Sequence, residues 1–156
     1  MKVQICAVGR LRTGPEKDLL DDYLTRFERS GRALSLGPCQ MLEVEDKKGG
    51  GMSAEAELLG SIIPDGAHIC ALDERGKLMS SPDFAQFIST LRDDGCRDLA
   101  FVIGGADGLT PNLRNRANSR LSFGKMVWPH MLARVMLSEQ LYRAASILAG
   151  SPYHRV

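Results

Sequence analysis

Apolar and polar positions along the chain alternate between two rhythms. Lys2–Val8 is almost wholly apolar and ends at Gly9, the pattern of a buried strand. Pro15 then opens a stretch to about residue 29 in which Leu19, Leu20, Tyr23, Leu24 and Phe27 share one face of a 3.6-residue period, which predicts a helix. Residues 33–44 read as a weaker strand interrupted by Gly37 and Pro38. Residues 45–51, charged and then glycine-rich, read as a loop. Ser53 is placed as the cap of a helix to about residue 63, with Glu55 and Glu57 suited to its positive first turn. Pro64, Asp65 and Gly66 predict a turn, residues 67–73 a strand and 73–80 a loop. Ser81 followed by Pro82 predicts a helix start, continuing to about residue 94. Residues 99–103 are wholly apolar, as a central parallel strand should be. A loop over 104–111, a helix over 111–118 and a strand over 121–128 follow. Residues 130–149 make the last and longest helix, stopped by Gly150 and Pro152.

Strand and helix thus alternate about five times. That order predicts one α/β domain over residues 1–156, with a mainly parallel sheet, helices on both faces and right-handed crossovers. Ligands of such sheets gather beyond the carboxyl ends of the strands. Three loops qualify: 72–77, 104–109 and 123–128.

Composition narrows the class. A hydrophobic content of 44% and a charged content of 25% exclude collagen-like, low-complexity and disordered chains. The four cysteines (Cys6, Cys39, Cys70, Cys96) lie about thirty residues apart with no C-x-x-C pair. They read as reduced thiols of a cytoplasmic protein, with neither a disulfide framework nor a metal site expected. The first apolar run is too short for a signal peptide, and no stretch of 18 apolar residues suits a membrane span, so no membrane association is expected. The net charge of +1 excludes a basic field over the whole protein. Its distribution qualifies that. Residues 110–156 hold seven basic side chains and one acid, leaving thirteen basic and eighteen acidic residues before them. Either this C-terminal part meets an anionic partner or its charges are solvated helix faces.

The candidate chemistry lies in the same third of the chain. Gly104 and Gly105 after an apolar strand let the backbone approach a ligand closely, although the spacing is neither G-x-G-x-x-G nor a P-loop and a plain tight turn reads equally well. The last helix is apolar on most faces, so it is either buried or covered by a second subunit. Glu139 and Arg143 stand four apart in the order that favours a simple pair. The tail Pro152-Tyr153-His154-Arg155 combines a stacking ring, an imidazole that titrates near neutrality and a guanidinium that grips phosphate, though tails commonly fray. His68, within a strand, reads as a core histidine; His130 at the last helix start is open either way.

Four blocks together resemble the SPOUT methyltransferases: Leu72-Asp-Glu-Arg-Gly-Lys77, Ile103-Gly-Gly-Ala-Asp-Gly-Leu109, Leu121-Ser-Phe-Gly-Lys-Met-Val-Trp-Pro-His130 continuing to Glu139-Gln-Leu-Tyr-Arg-Ala144, and Pro152–Arg155. Their order and separations match over nearly the whole chain. Within that family the resemblance is to enzymes that methylate N3 of a pseudouridine in 23S rRNA. It implies a C-terminal trefoil knot, one of the rare exceptions to unknotted topology. It implies S-adenosylmethionine as cofactor, held at Leu72, Gly104 and Phe123, Gly124, Lys125, Met126, Val127 and Trp128, largely through backbone. It implies a homodimer in which the tail of one subunit completes the site of the other, acting on the ribosome. His154 would remove the N3 proton, Arg155 or Arg143 would steady the developing oxyanion, and Tyr153 would orient the base. The glycine-rich region 45–51 matches poorly. Two other readings stand beside this one: a ribosome-binding assembly factor of the same fold without turnover, and a Rossmann-type nucleotide enzyme, which the missing glycine fingerprint after the first strand disfavours.

Overall fold

A computed structural model describes residues 1–155 of the chain; Val156 lies outside the described residues. Five strands form one sheet: β1 (Lys2–Val8), β2 (Cys39–Val44), β3 (His68–Leu78), β4 (Asp98–Ile103) and β5 (Ser119–Ser122). The order is β2-β1-β4-β3-β5, and every pairing is parallel. The helices are α1 (Pro15–Gly31), α2 (Gly51–Ile62), α3 (Ser81–Asp93), α4 (Pro111–Arg116) and α5 (His130–Leu148).

Pleating divides the apolar residues between two cores. Val3, Ile5 and Ala7 of β1 and Leu99, Phe101 and Ile103 of β4 face Phe27, Phe84, Ile88, Leu137 and Leu141 on α1, α3 and α5. The alternate residues Cys6, Val8, Ala100 and Val102 face Leu59 and Ile63 at the end of α2 and Leu113 of α4. A central strand buried on both sides is mostly apolar, which is why β1 and β4 were legible; the buried Gln4 of β1 is accommodated by donating to Asp98 at the start of β4.

Where the pattern was mixed, the structure differs. The first half of the expected 33–44 strand is a single 3₁₀ turn (Arg32–Leu34), after which Ser35 takes a left-handed φ of 57° and Gly37–Pro38 is cis. The helix expected to be capped by Ser53 begins three residues earlier, at Gly51, with Gly50 in the cap position. Asp46 accepts hydrogen bonds from the backbone NH groups of Lys48 and Gly50, shaping the turn before it. Glu55 and Glu57 consequently lie beyond the first turn. The cap of α3 is Ser80, which accepts from the Asp83 NH while Asp83 returns a contact to the Ser80 NH. The strand expected over 121–128 is β5 at 119–122, because Gly124 turns the chain with a φ of 110°.

The largest departure is β3, which continues through the stretch 73–78 expected as a loop. Leu72 pairs with Leu121, the register then jumps, and Lys77 pairs with Leu121 again, so 73–76 arch against β5. A Cβ on Gly76 would lie 2.8 Å from backbone atoms of Arg120 and Leu121, so only glycine permits the approach. Ser122 donates to the Glu74 carbonyl (3.0 Å) and accepts from the Gly124 NH (3.0 Å), fastening the arch to the end of β5. The backbone of β3 thus packs directly on that of β5 where the C-terminal part begins, consistent with a knotted fold.

Candidate active site

The three strand-end loops converge on one cavity of about 580 Å³. β3 contributes Leu72 through Arg75, β4 and its loop contribute Ile103 through Leu109, and β5 leads into Phe123, Gly124, Met126, Val127 and Trp128. The volume falls in the range of roughly 300–1,000 Å³ that takes a drug-sized ligand. Close backbone packing shapes it. A Cβ on Gly104 would lie 2.5 Å from the Gly108 carbonyl oxygen, and one on Gly105 would lie 2.7 Å from Glu55 Oε2. Gly104 is therefore needed for the loop to fold back on itself, beyond any role toward a ligand, whereas at Gly105 only the end of the flexible Glu55 side chain would have to move. Trp128 donates its ring NH to the Phe123 carbonyl at 3.4 Å and closes the last loop. Of the cofactor residues expected, Leu72, Gly104, Phe123, Gly124, Met126, Val127 and Trp128 line the cavity, whereas Lys125 is exposed and is not part of the wall.

Arg134 braces this end of the molecule. Although α5 is otherwise apolar there, the Arg134 side chain is fully buried. It donates to the carbonyls of Val8 (2.6 Å) and Gly9 (2.7 Å) at the end of β1 and to Glu43 Oε2 (2.7 Å) on β2. Glu43 also accepts from the Leu11 NH (2.6 Å). Burying an arginine costs several kcal/mol, which this set of charge-assisted bonds offsets. The start of α5, and with it the loop before it, is thereby tied to the sheet. His130, at the first turn of α5, lines the cavity, and burial with the nearby Arg134 depresses its pKa while Glu55 opposes the shift.

The tail residues come together elsewhere. Arg143 donates to Glu139 Oε1 through Nε (2.9 Å) and Nη2 (2.6 Å), and Tyr153 donates its hydroxyl to the same oxygen (2.8 Å). The Tyr153 ring lies under the Arg143 guanidinium (4.7 Å) and against Tyr142 (4.5 Å between centroids). Partial burial and the Glu139 carboxylate push the Tyr153 pKa up, so it stays a hydroxyl donor. Arg143 Nη1 lies 3.2 Å from His154 Nδ1. Since a guanidinium only donates, Nδ1 accepts and the neutral ring carries its proton on Nε2. Arg155 is exposed. Glu139 is thus more than half of a simple pair: it ties the tail to α5. Pattern reading missed this because only the fold brings Tyr153 beside it.

The two clusters share no lining residue within one chain, although a groove that touches Phe123 and Gly124 at one side reaches Glu139 at the other. Ala133 lines the cavity and Arg143 stands ten residues further along α5, roughly 15 Å by helical rise. Nor is the basic C-terminal third all surface. Arg134 is internal, Arg143 pairs with Glu139 and Arg114 faces the cavity, leaving Arg116, Arg120, Lys125 and Arg155 exposed. His68 is half-buried, bonded at 2.9 Å to Ser119 Oγ and edge-on to Phe87, as a core histidine should be. Among the described residues there is no cluster of three His, Cys, Asp or Glu able to hold a metal, and no helix is long and apolar enough to cross a membrane.

A parallel five-stranded sheet whose C-terminal crossing builds a ligand cavity out of three strand-end loops defines the α/β-knot class. The chain matches a family model described as predicted SPOUT methyltransferase over residues 1–154. It is 69% identical to the ribosomal RNA large subunit methyltransferase H of Dinoroseobacter shibae and 69% identical to that of Ruegeria pomeroyi, each alignment covering all of both chains. A 67% identical relative of the same name comes from Ruegeria sp. strain TM1040, again over all of both chains. A probable methylase family protein from Haemophilus influenzae shares the fold at TM-score 0.54 and 15% identity, over 99% of this chain and 70% of its own. The chain belongs to the SPOUT methyltransferase family. Enzymes of this family take their methyl group from S-adenosylmethionine, and the lining suits such a molecule, combining apolar Leu72, Ile103, Leu109 and Phe123 with the charged Asp73 and Arg114.

Proposed function

We propose that this enzyme transfers the methyl group of S-adenosylmethionine to N3 of a pseudouridine in 23S rRNA, on the large subunit or the assembled ribosome, in the cytoplasm. The observation that supports it most is identity of 67–69% along the full chain to relatives named as ribosomal RNA large subunit methyltransferases. S-adenosylmethionine supplies an electrophilic methyl on a sulfonium. The loops 72–75, 104–109 and 123–128 orient it, and such positioning contributes on the order of 7–11 kcal/mol to a displacement of this kind.

N3 of pseudouridine carries a proton and is a poor nucleophile until that proton leaves. His154 is the base, and its lone pair at Nδ1 becomes available when the tail shifts from Arg143. Arg155 and Arg143 steady the negative charge that develops on the flanking carbonyls, and Tyr153 stacks on or orients the base. Because the tail of one chain lies away from its own cavity, the working enzyme is a homodimer in which each tail serves the partner's cavity. An apolar groove between α1, α3 and the end of β3 supports this reading. It is lined by Leu19, Tyr23, Leu78 and Phe84, with Leu19 48% and Leu78 65% exposed, and it adjoins the cavity at Phe123.

Mass spectrometry of rRNA nucleosides from cells with and without the gene tests the reaction; loss of one methylated pseudouridine is expected, and an unchanged profile overturns it. Mixing a variant disabled in the cavity (Gly104→Val) with one disabled in the tail (His154→Ala) tests the shared site. Activity returns on mixing if tails act across the dimer, and stays absent if they act within one chain.

A further inference from the structure

The cavity wall holds one pair of opposite charges that stand at ion-pair distance but make no hydrogen bond to each other. Asp73 and Arg114 both line it, and their side chains are only 8% and 19% exposed. Asp73 Oδ1 accepts from the Arg75 NH (3.1 Å), but Oδ2 is buried without a hydrogen-bond partner. Its nearest cation, Arg114 Nη1, lies 3.9 Å away, too far for a hydrogen bond. Among the described residues the Arg114 guanidinium donates no hydrogen bond, although it has five donors to place. Buried polar groups are nearly always paired, and a carboxylate and a guanidinium left open side by side in a ligand cavity call for a ligand that pairs both.

We infer that Asp73 and Arg114 together form the subsite for a zwitterionic α-amino-acid group, the guanidinium taking its carboxylate and Asp73 its ammonium. The inference rests on S-adenosylmethionine being the ligand of this cavity, because that molecule carries such a head on an otherwise apolar nucleoside. A phosphate of the RNA fits less well: it would gain from Arg114 and be repelled by Asp73, whereas a zwitterion is attracted by both. The other charged residues of the lining, Glu74 and Arg75 just after Asp73 and Asp107 on the loop after β4, are exposed, so the two desolvated charges are the discriminating ones.

Calorimetry with three probes tests the subsite: S-adenosylmethionine, its decarboxylated form, which keeps the ammonium, and 5′-methylthioadenosine, which lacks the head. Arg114→Gln is expected to weaken S-adenosylmethionine by on the order of tenfold to a hundredfold, the range of a lost charged hydrogen bond, and to leave both other probes unchanged. Asp73→Asn is expected to weaken S-adenosylmethionine and its decarboxylated form alike while sparing methylthioadenosine. Unchanged methylthioadenosine binding also certifies that each variant is folded. If either variant weakens all three probes equally, or none, the subsite is overturned while the cofactor reading stands. If Arg114→Gln lowers affinity for RNA and not for S-adenosylmethionine, the subsite is likewise overturned. Absence of S-adenosylmethionine binding to the unaltered protein overturns both.

Discussion

The cavity at the ends of β3, β4 and β5 and the tail cluster on α5 solve opposite problems. The cavity is built from backbone: glycines that fold back on one another, a register jump and a buried arginine that holds the helix start to the sheet. The tail cluster is built from long side chains around a single carboxylate oxygen, with Tyr153 and His154 only half-buried. It is held together by a few charge-assisted bonds, and it stands away from its own cavity. A backbone-built site suits binding and positioning; in the function proposed above, the side-chain cluster on the short tail would supply the chemistry. Cofactor affinity should therefore be insensitive to the tail, and turnover should depend on it.

The largest effect should come from separating those two quantities. His154→Ala is expected to lower the single-turnover rate by about 10²–10⁴-fold, the usual contribution of a positioned base, with cofactor affinity unchanged by calorimetry. An unchanged rate across pH 6–9 would erase the division of labour between the two regions. Next in size is the brace on the cavity side. Arg134→Ala leaves Glu43 and two strand-end carbonyls without their donor, and a loss of about 3–5 kcal/mol in urea unfolding is expected. The tail clamp is smaller. Glu139→Gln should weaken tail attachment by about 1–3 kcal/mol, read as faster amide exchange at residues 151–155, while the cavity's exchange is unchanged. The smallest effect is on the acid side. The folded pKa of His130 lies below the ordinary value of 6.5, so the neutral ring is the one the fold favours. Its contribution is fully present above pH 6.5 and lost as pH falls through the folded value. His130→Gln should flatten that part of a stability–pH curve, and a curve of unchanged shape would remove His130 from the account.

How much of this was legible follows the same division. β1, β4 and the start of α1 could be read because burial on two faces or a proline at a helix start leaves an unmixed pattern. The loops of the cavity were legible as strand ends, and the four sequence blocks named the family. The arch at 73–76 was not, since charged residues there look like a loop and only the pairing with β5 makes them strand. The brace was invisible for a related reason. A single arginine in an apolar helix gives no hint of its partners, which lie on β1 and β2 more than ninety residues away in sequence. Lys125 lies in a matching block, and its side chain is exposed beyond the turn at Gly124, so only its backbone remains on the loop that borders the cavity.

The arch over β5 also sets a schedule. Its far side exists only once β5 has been laid against it, and the remaining wall comes from 123–128 and from Ala133 on α5, the last long element of the chain. A chain emerging from its own synthesis in N-to-C order therefore completes the sheet's centre long before it has anywhere to hold a nucleoside. The cavity wall is thus finished only when the last elements are in place, and ligand binding is expected to report that they have docked.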